Sequence, residues 1–306
     1  MANLLTVENL FVSGRNGEIL HDISLDIGQG EAWGIVGASG AGKSMLARAI
    51  VALLPRGIFV KSGRILYRGQ DWLALKEAEK CRIRGNRIGF LVQNTASGLD
   101  PVYPVGAQMM ETLLANNCAR SIDDALDISS KWLGRMGFGQ VERILSAYPH
   151  SLSGGMAQRV YLAMVLMLNP EIVIADEFST GLDSATGKDM LSVLCQATAE
   201  SALVMITHDI RLLDGLTDKL AVMIGGMIVE AGPTERILQN PLHGYSEALL
   251  HGGYSTPISH GGGPACSGQI SACPFCNRCT DVRDACFSRI PEPREIDGRV
   301  LRCHRY

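Results

Sequence analysis

The sequence lacks an excess of charge of either sign, a long apolar run and an internal repeat. Its 28 Lys and Arg against 31 Asp and Glu leave a net charge of -3, so it carries no basic footprint for nucleic acid. Its most apolar stretch, Val160 to Leu168, is stopped by Asn169-Pro170-Glu171 and falls short of the ~20 residues that span a bilayer. The start, Met1-Ala2-Asn3-Leu4-Leu5-Thr6-Val7-Glu8, has no basic segment ahead of a long apolar one, so no signal peptide is expected and a cytosolic location follows. In that compartment the nine cysteines are expected as thiols or metal ligands rather than disulfides. What remains is an ordinary globular α/β composition, 46% hydrophobic and 19% charged over 306 residues. That length holds one large domain or two.

The stretch Gly37-Ala38-Ser39-Gly40-Ala41-Gly42-Lys43-Ser44 has the form G-x-x-x-x-G-K-[ST]. Ala32 to Val36 before it reads as a buried strand, and Met45 to Leu54 after it has apolar residues at helical spacing up to Pro55. Strand, glycine-rich loop and helix make a phosphate cradle, because glycines let backbone N–H groups turn inward and the helix N-terminus adds partial positive charge. Lys43 is placed to reach the β- and γ-phosphates and Ser44 to ligate Mg²⁺. The pattern implies binding of a nucleoside triphosphate.

Around this loop the chain reads as a sequence of short strands and helices. Leu4-Thr6, Leu10-Val12 and Ile23-Leu25-Ile27 are expected as strands of an antiparallel layer, followed by Gly63–Gly69 as strand and turn. Arg87–Val92 is a buried strand that delivers Gln93 at its C-terminal end, where ligands of open α/β sheets collect. Segments near 105–116, 121–136 and 139–147 are helical and more polar, an insertion into the core. Ile172-Val173-Ile174-Ala175 ends in the carboxylates Asp176 and Glu177, and Leu203–Thr207 ends in His208. Leu220–Ile224 and Met227–Glu230 form a hairpin over Gly225-Gly226, and residues 251–268 are a Gly, Ser and Pro linker. Cys266, Cys273, Cys276, Cys279, Cys286 and Cys303 crowd the remainder. Asp176 suits Mg²⁺, which prefers hard oxygen ligands beside phosphates. Glu177 suits a general base on water.

The chain resembles the ATP-binding subunits of ABC transporters over residues 1 to about 250. Leu152-Ser153-Gly154-Gly155-Met156-Ala157-Gln158 matches the LSGG signature, Gln93 the Q-loop, Gly181-Leu182-Asp183 the D-loop and His208 the H-loop, all in family order. The resemblance implies a P-loop NTPase fold: a RecA-like core with an antiparallel β layer, a helical subdomain at about 94–160, and a small Cys-rich extension at 251–306. It implies a head-to-tail dimer, with ATP sandwiched between Gly37–Ser44 of one subunit and Ser153-Gly154-Gly155-Met156 of the other. Ser44, Gln93 and Asp176 are then the expected Mg²⁺ contacts. Glu177, Gln93 and His208 form the expected catalytic set, His208 holding the γ-phosphate. As the helix starts near Met156, Ser153 is also its expected N-cap.

Three further stretches are similar to the oligopeptide, dipeptide and nickel importers: Gln93-Asn94-Thr95-Ala96-Ser97-Gly98-Leu99-Asp100-Pro101-Val102, the GGM form of the signature, and Pro241-Leu242-His243-Gly244-Tyr245-Ser246. This branch implies a second, homologous ATPase as partner in a heterodimer. It also implies two transmembrane permease subunits, a periplasmic or extracellular solute-binding protein, and a peripheral place on the cytoplasmic face of the inner membrane. Peptides, nickel or metal–chelate complexes all remain open as solute. Its C-terminal extension resembles one that holds a [4Fe–4S] cluster, pointing to Cys273, Cys279, Cys286 and Cys303. Cys276 competes through Cys273-x-x-Cys276-x-x-Cys279, and four thiolates suit zinc equally. Two positions depart from the family. The aromatic that stacks on adenine is expected near Gly14, where Arg15 is adjacent and Phe11 lies three residues earlier; either Arg15 stacks by cation–π or adenine is held more loosely, and Phe178 replaces the proline after the glutamate. A soluble non-transport ABC ATPase and a regulatory ATP-binding subunit are the alternatives.

Overall fold

The computed structural model describes residues 3–92, 98–178, 184–252 and 272–306. They fall into two compact units, 1–75 with 204–306 and 76–203. In chain order the first contributes β1 (Leu5–Gly14), β2 (Gly17–Ile27), β3 (Ala32–Val36), α1 (Lys43–Ile50), β4 (Phe59–Tyr67) and β5 (Gln70–Asp71). The second holds α2 (Glu77–Asn86), β6 (Ile88–Leu91), α3 (Val105–Ala115), α4 (Ile122–Arg135), α5 (Val141–Ser146), α6 (Gly154–Leu166), β7 (Ile172–Asp176) and α7 (Ser184–Ala197). The chain then returns to the first with β8 (Ala202–Thr207), β9 (Lys219–Ile224), β10 (Met227–Pro233), α8 (Thr234–Gln239), α9 (Gly244–Leu250), α10 (Ala285–Ser288), β11 (Arg294–Ile296) and β12 (Arg299–Leu301).

The antiparallel layer expected ahead of the core is the sheet β2-β1-β4-β5. Leu5-Thr6 and Leu10-Val12, expected in separate strands, belong to one continuous β1, with Leu4 just before it. The break in alternation between them is a bulge at Asn9, which adopts φ 44° and shifts the register against β2 between Val7 and Leu10. An extra residue moves the apolar set to the other face, so a period-two pattern stops and restarts. Asn9 secures the bulge by donating its N–H to Ser24 Oγ and its amide to Asp22 Oδ1, each at 2.9 Å.

The core sheet of this unit runs β11-β12-β10-β9-β3-β8. Strand β3 lies parallel to β9, with Val36 opposite Val222, and both are buried almost throughout. That is why Trp33–Val36 and Leu220–Ile224 read as continuous apolar runs. β9 and β10 form the expected hairpin over Gly225 and Gly226, both at positive φ as a two-residue hairpin turn requires. The C-terminal segment joins the same sheet: Glu230 and Ala231 of β10 pair with Leu301 and Val300 of β12.

Glu230 is the polar centre of this junction. Its side chain is fully buried, and a buried carboxylate is tolerable only when paired and hydrogen-bonded. It accepts the N–H groups of Leu242 and His243, each at 3.0 Å, and the Arg299 guanidinium at 3.3 Å. One carboxylate thus fixes the turn into α9 and the strand from the C-terminal segment. His243, 2% exposed, accepts the Tyr245 N–H on Nδ1 at 3.0 Å and caps α9.

The second unit pairs β6 with β7 in parallel. The helices expected near 105–116, 121–136 and 139–147 are α3, α4 and α5. Gln108 of α3, largely buried, accepts the Asp100 N–H at 2.9 Å and donates to the carbonyls of Asp100 and Tyr103 at 2.9 and 2.8 Å. It therefore ties down the turn from Asp100 to Tyr103.

Burial pushes the His243 pKa from 6.5 down to about 4. Between those values the unfolded chain binds a proton that the folded chain excludes, so stability falls as pH drops through that window, by about 3 kcal/mol. Urea unfolding at pH 7 and pH 4.5 on the native chain and on His243→Asn, which keeps a capping group without titrating, isolates this slope. A smaller loss in His243→Asn is expected; equal losses contradict it.

Candidate functional site: a phosphate loop and a signature helix

The loop after β3 needs glycine for space as well as for backbone freedom. A Cβ on Gly37 would lie 2.1 Å from the Met223 carbonyl oxygen, a contact with backbone that nothing relieves. Gly42 adopts φ 101° as the residue before α1, where a side chain would be strained. It makes no side-chain cap, and the first turn of α1 holds no acidic residue. The N-terminus of that helix thus carries neither a capping side chain nor a first-turn carboxylate, and its partial positive charge favours an anion. Lys43, 4% exposed, donates from Nζ to the carbonyls of Gly37 at 2.8 Å and Ala38 at 3.1 Å. The loop curls back on itself through Ala41 N–H to Ala38 O at 3.1 Å, and Gly226 N–H reaches Ala41 O at 3.0 Å. Ser44 is half-buried in the first turn of α1. Folded into the same unit, His208 is exposed just past the C-terminal end of β8. Asp209 next to it accepts the Arg211 N–H at 3.0 Å, starting a short helical turn.

The second unit carries the carboxylates and the signature. Asp176 ends β7 and is 5% exposed. Glu177 follows at φ 48°, a left-handed conformation that a non-glycine residue holds only when its surroundings impose it. Phe178, where the family has proline, is buried, and its carbonyl accepts from Gln158 Nε2. Gln158 lies on α6, so the helix that begins at the signature is tied to the loop after Glu177. Ser153 is the N-cap of α6 as expected, accepting the Met156 N–H at 3.4 Å. Ser153 and Gly154 are exposed and Gly155 and Met156 half-exposed, and a Cβ on Gly154 would meet nothing within 4 Å. Among the described residues no contact demands glycine there. Gln93 and Gly181-Leu182-Asp183 lie outside the described residues.

The cysteine-rich segment lies against the first unit. Cys273 and Cys286 are buried, and Cys276, Cys279 and Cys303 half-buried. Cys273 N–H donates to Cys286 O at 3.0 Å, and Arg283 N–H reaches Cys286 Sγ at 3.5 Å. Burial, reinforced by neighbouring Cys286, Cys276 and Cys303, pushes the Cys273 thiol up to about 12; burial raises Cys303 in the same way. No disulfide joins any of the described cysteines. Among the described residues no three His, Cys, Asp or Glu side chains converge closely enough to hold an ion. Cys266 lies outside the described residues. Of the two adenine candidates, Phe11 packs edge-on against His21 with ring centroids 4.9 Å apart, and Arg15 sits exposed in the turn between β1 and β2.

Comparison with known proteins decides among nucleotide-binding families. A family model described as ABC transporter matches residues 20–180. The chain belongs to the ABC transporter family. It is 36% identical over 253 residues to the dipeptide transport ATP-binding protein DppD of Lactococcus lactis subsp. cremoris (strain MG1363), covering 81% of this chain and 72% of that one. It is 32% identical over 314 residues to the oligopeptide transport ATP-binding protein OppD of Escherichia coli (strain K12), covering 98% and 92%. Among solved structures, the dimeric post-hydrolysis ATP-binding cassette MJ0796 bound to ADP and Pi superposes with a TM-score of 0.67 at 25% identity, covering 75% of this chain and 98% of that one. This ABC chain is accordingly an ATP-binding, ATP-hydrolysing subunit with the P-loop NTPase fold, using ATP with Mg²⁺. No described helix is long and apolar enough to cross a membrane. Two connections escaped the sequence reading, Gln158 to the Phe178 carbonyl and the contact made by Tyr245, described below. Both partners are separated in sequence, and no short motif carries them.

Proposed function

We propose that this subunit hydrolyses ATP on the cytoplasmic face of a cell membrane to drive a peptide importer. The observation that carries the reading is the presence, in one chain, of a phosphate loop and an exposed signature N-terminus whose Gly154 has open space where a Cβ would stand. A glycine whose Cβ position meets none of the described residues suits the close approach of a phosphate held by a second ATPase subunit. In this reading Lys43 holds the β- and γ-phosphates within the N–H groups of Gly37 to Ser44. Ser44, Gln93 and Asp176 bind Mg²⁺, Glu177 takes the proton from the attacking water, and His208 holds the γ-phosphate. Ser153, Gly154, Gly155 and Met156 close on the ATP of the partner, a homologous ATPase, making a heterodimer.

Peptides are favoured as solute because relatives that align along most of this chain are named for dipeptide and oligopeptide transport. Nickel and metal–chelate complexes are the other outcomes of identifying the solute bound to the purified transporter. Val102, Tyr103 and Ile122 are 69%, 57% and 66% exposed in the helical part of the second unit. Apolar side chains so exposed suit two permease subunits, fed by a solute-binding protein. The cysteine-rich segment is proposed to hold a [4Fe–4S] cluster through Cys273, Cys279, Cys286 and Cys303, with Cys276 as competing ligand and zinc as the alternative. The support is the donor set: cysteine thiols drawn from separate stretches of chain, two of them buried. A bound cluster would cross-link those stretches.

Glu177→Gln is expected to lower steady-state ATP hydrolysis of the assembled transporter by about 10²–10⁴-fold while ATP binding persists. A near-normal rate removes Glu177 from the base role. Anaerobically purified protein is expected to be brown and to contain iron. Colourless protein with stoichiometric zinc contradicts the iron–sulfur assignment.

A further inference from the structure

Tyr245 stands 207 residues from the phosphate loop in sequence, yet its hydroxyl accepts the Ala38 N–H at 2.8 Å. That N–H belongs to the same peptide unit as the Gly37 carbonyl, which receives the Lys43 ammonium at 2.8 Å. One peptide plane is therefore gripped on both edges, by a phenol on its N–H and by the loop lysine on its oxygen. Rotation of that plane would carry the carbonyl, and with it the position of the ammonium. Tyr245 is fully buried, so its hydroxyl cannot exchange this partner for water without opening the fold.

The ring of Tyr245 leads to the cysteine-rich segment. Phe275, 4% exposed, packs on it with centroids 5.4 Å apart and also lies 6.1 Å from the His243 ring. Gly244, between those two residues, has room for no large side chain: a Cβ there would stand 3.5 Å from both Cys279 Sγ and Phe275 Cε1. Next to Phe275, Pro274 lies 3.0 Å from the Cβ position of Gly225, and Gly226 beyond it donates its N–H to Ala41 O at 3.0 Å. The adjacent pair Pro274-Phe275 thus abuts both outside ties on the loop, at Ala38 and at Ala41.

We infer that Tyr245 is a positioning residue for Lys43, and that Pro274-Phe275 couples nucleotide affinity to the packing of the cysteine-rich segment. The coupling needs no contact between that segment and ATP. It rests on the reading of Gly37 to Ser44 as the phosphate loop. Because binding free energies are reciprocal, ATP in the loop must also steady the segment that props it.

The test measures ATP affinity of the full chain by equilibrium dialysis for the native protein, Tyr245→Phe, Phe275→Leu and Lys43→Ala, and for each of the first two combined with Lys43→Ala. Amide hydrogen exchange across 272–279 is followed with and without ATP. Loss of one hydrogen bond to a buried N–H is expected to weaken ATP binding about tenfold in Tyr245→Phe, and by less than about twofold once Lys43 is already Ala. A general structural defect predicts the same loss in both backgrounds, and that result, or no loss at all, overturns the positioning role. Lys43→Ala alone leaving ATP affinity intact would refute the phosphate-loop reading instead. ATP is expected to slow exchange across 272–279 in the native chain and to do so less in Phe275→Leu. Phe275→Leu keeps the hydroxyl and most of the apolar volume, so it serves even where Tyr245→Phe does not fold. Exchange indifferent to ATP in the native chain overturns the coupling.

Discussion

A buried ammonium has to be held by hydrogen-bond acceptors, and at Lys43 two backbone carbonyls are among them. Lys43 is 4% exposed and donates to Gly37 O and Ala38 O, so its charge lies on the loop proposed to receive phosphate. That arrangement fixes much around it. Gly37 has to lack a side chain because the Met223 carbonyl of β9 lies where its Cβ would be. β3 and β9 have to be buried neighbours to bring those backbones so close. Gly42 has to accept φ 101° ahead of α1, which opens with no side-chain cap. The apolar runs, the glycines and the lysine answer one demand: convergent donors for a triphosphate, with no Cβ in the way.

In the proposed reading the second unit answers a different demand, that of a phosphate belonging to another molecule. α6 begins with an exposed serine and glycine, and Ser153 caps it by accepting the Met156 N–H. Gln158, one turn on, donates to the Phe178 carbonyl beside Glu177. This side-chain link joins the helix proposed to read the partner's ATP to the loop bearing the proposed base. The left-handed conformation at Glu177 is of the kind that surroundings impose at functional sites. The C-terminal segment is not a loose tail either. β12 extends the sheet through β10, and Arg299 shares the buried Glu230 carboxylate with the turn that presents Tyr245.

Much of this was legible in the sequence, because the features concerned are local. Gly37 to Ser44 fixes its own chemistry by spacing, Ser153 announces a helix start, and the apolar stretches before Gly37, Asp176 and His208 read as buried strands. The extent of β1 was not legible, since the bulge at Asn9 breaks the alternation that a strand is recognised by. Neither was Phe178, whose departure from proline looked like a local uncertainty. Its carbonyl is instead an anchor for a side chain twenty residues upstream. Tyr245 was noted as part of a family-like segment, but its partner Ala38 lies 207 residues away. Contacts between one hydroxyl and one N–H across such distances leave no period and no spacing to detect.

The account stands on the claim that this chain supplies the loop for one ATP and the signature for another. The most direct measurement labels the assembled transporter with photoreactive ATP under conditions that block hydrolysis, and compares each ATPase subunit in the native complex and in Gly154→Asp. A carboxylate at that position meets the partner's γ-phosphate and not this chain's own. The account predicts that labelling of this chain is unchanged while labelling of its partner falls about tenfold. Loss of label from this chain, with the partner unaffected, would contradict it.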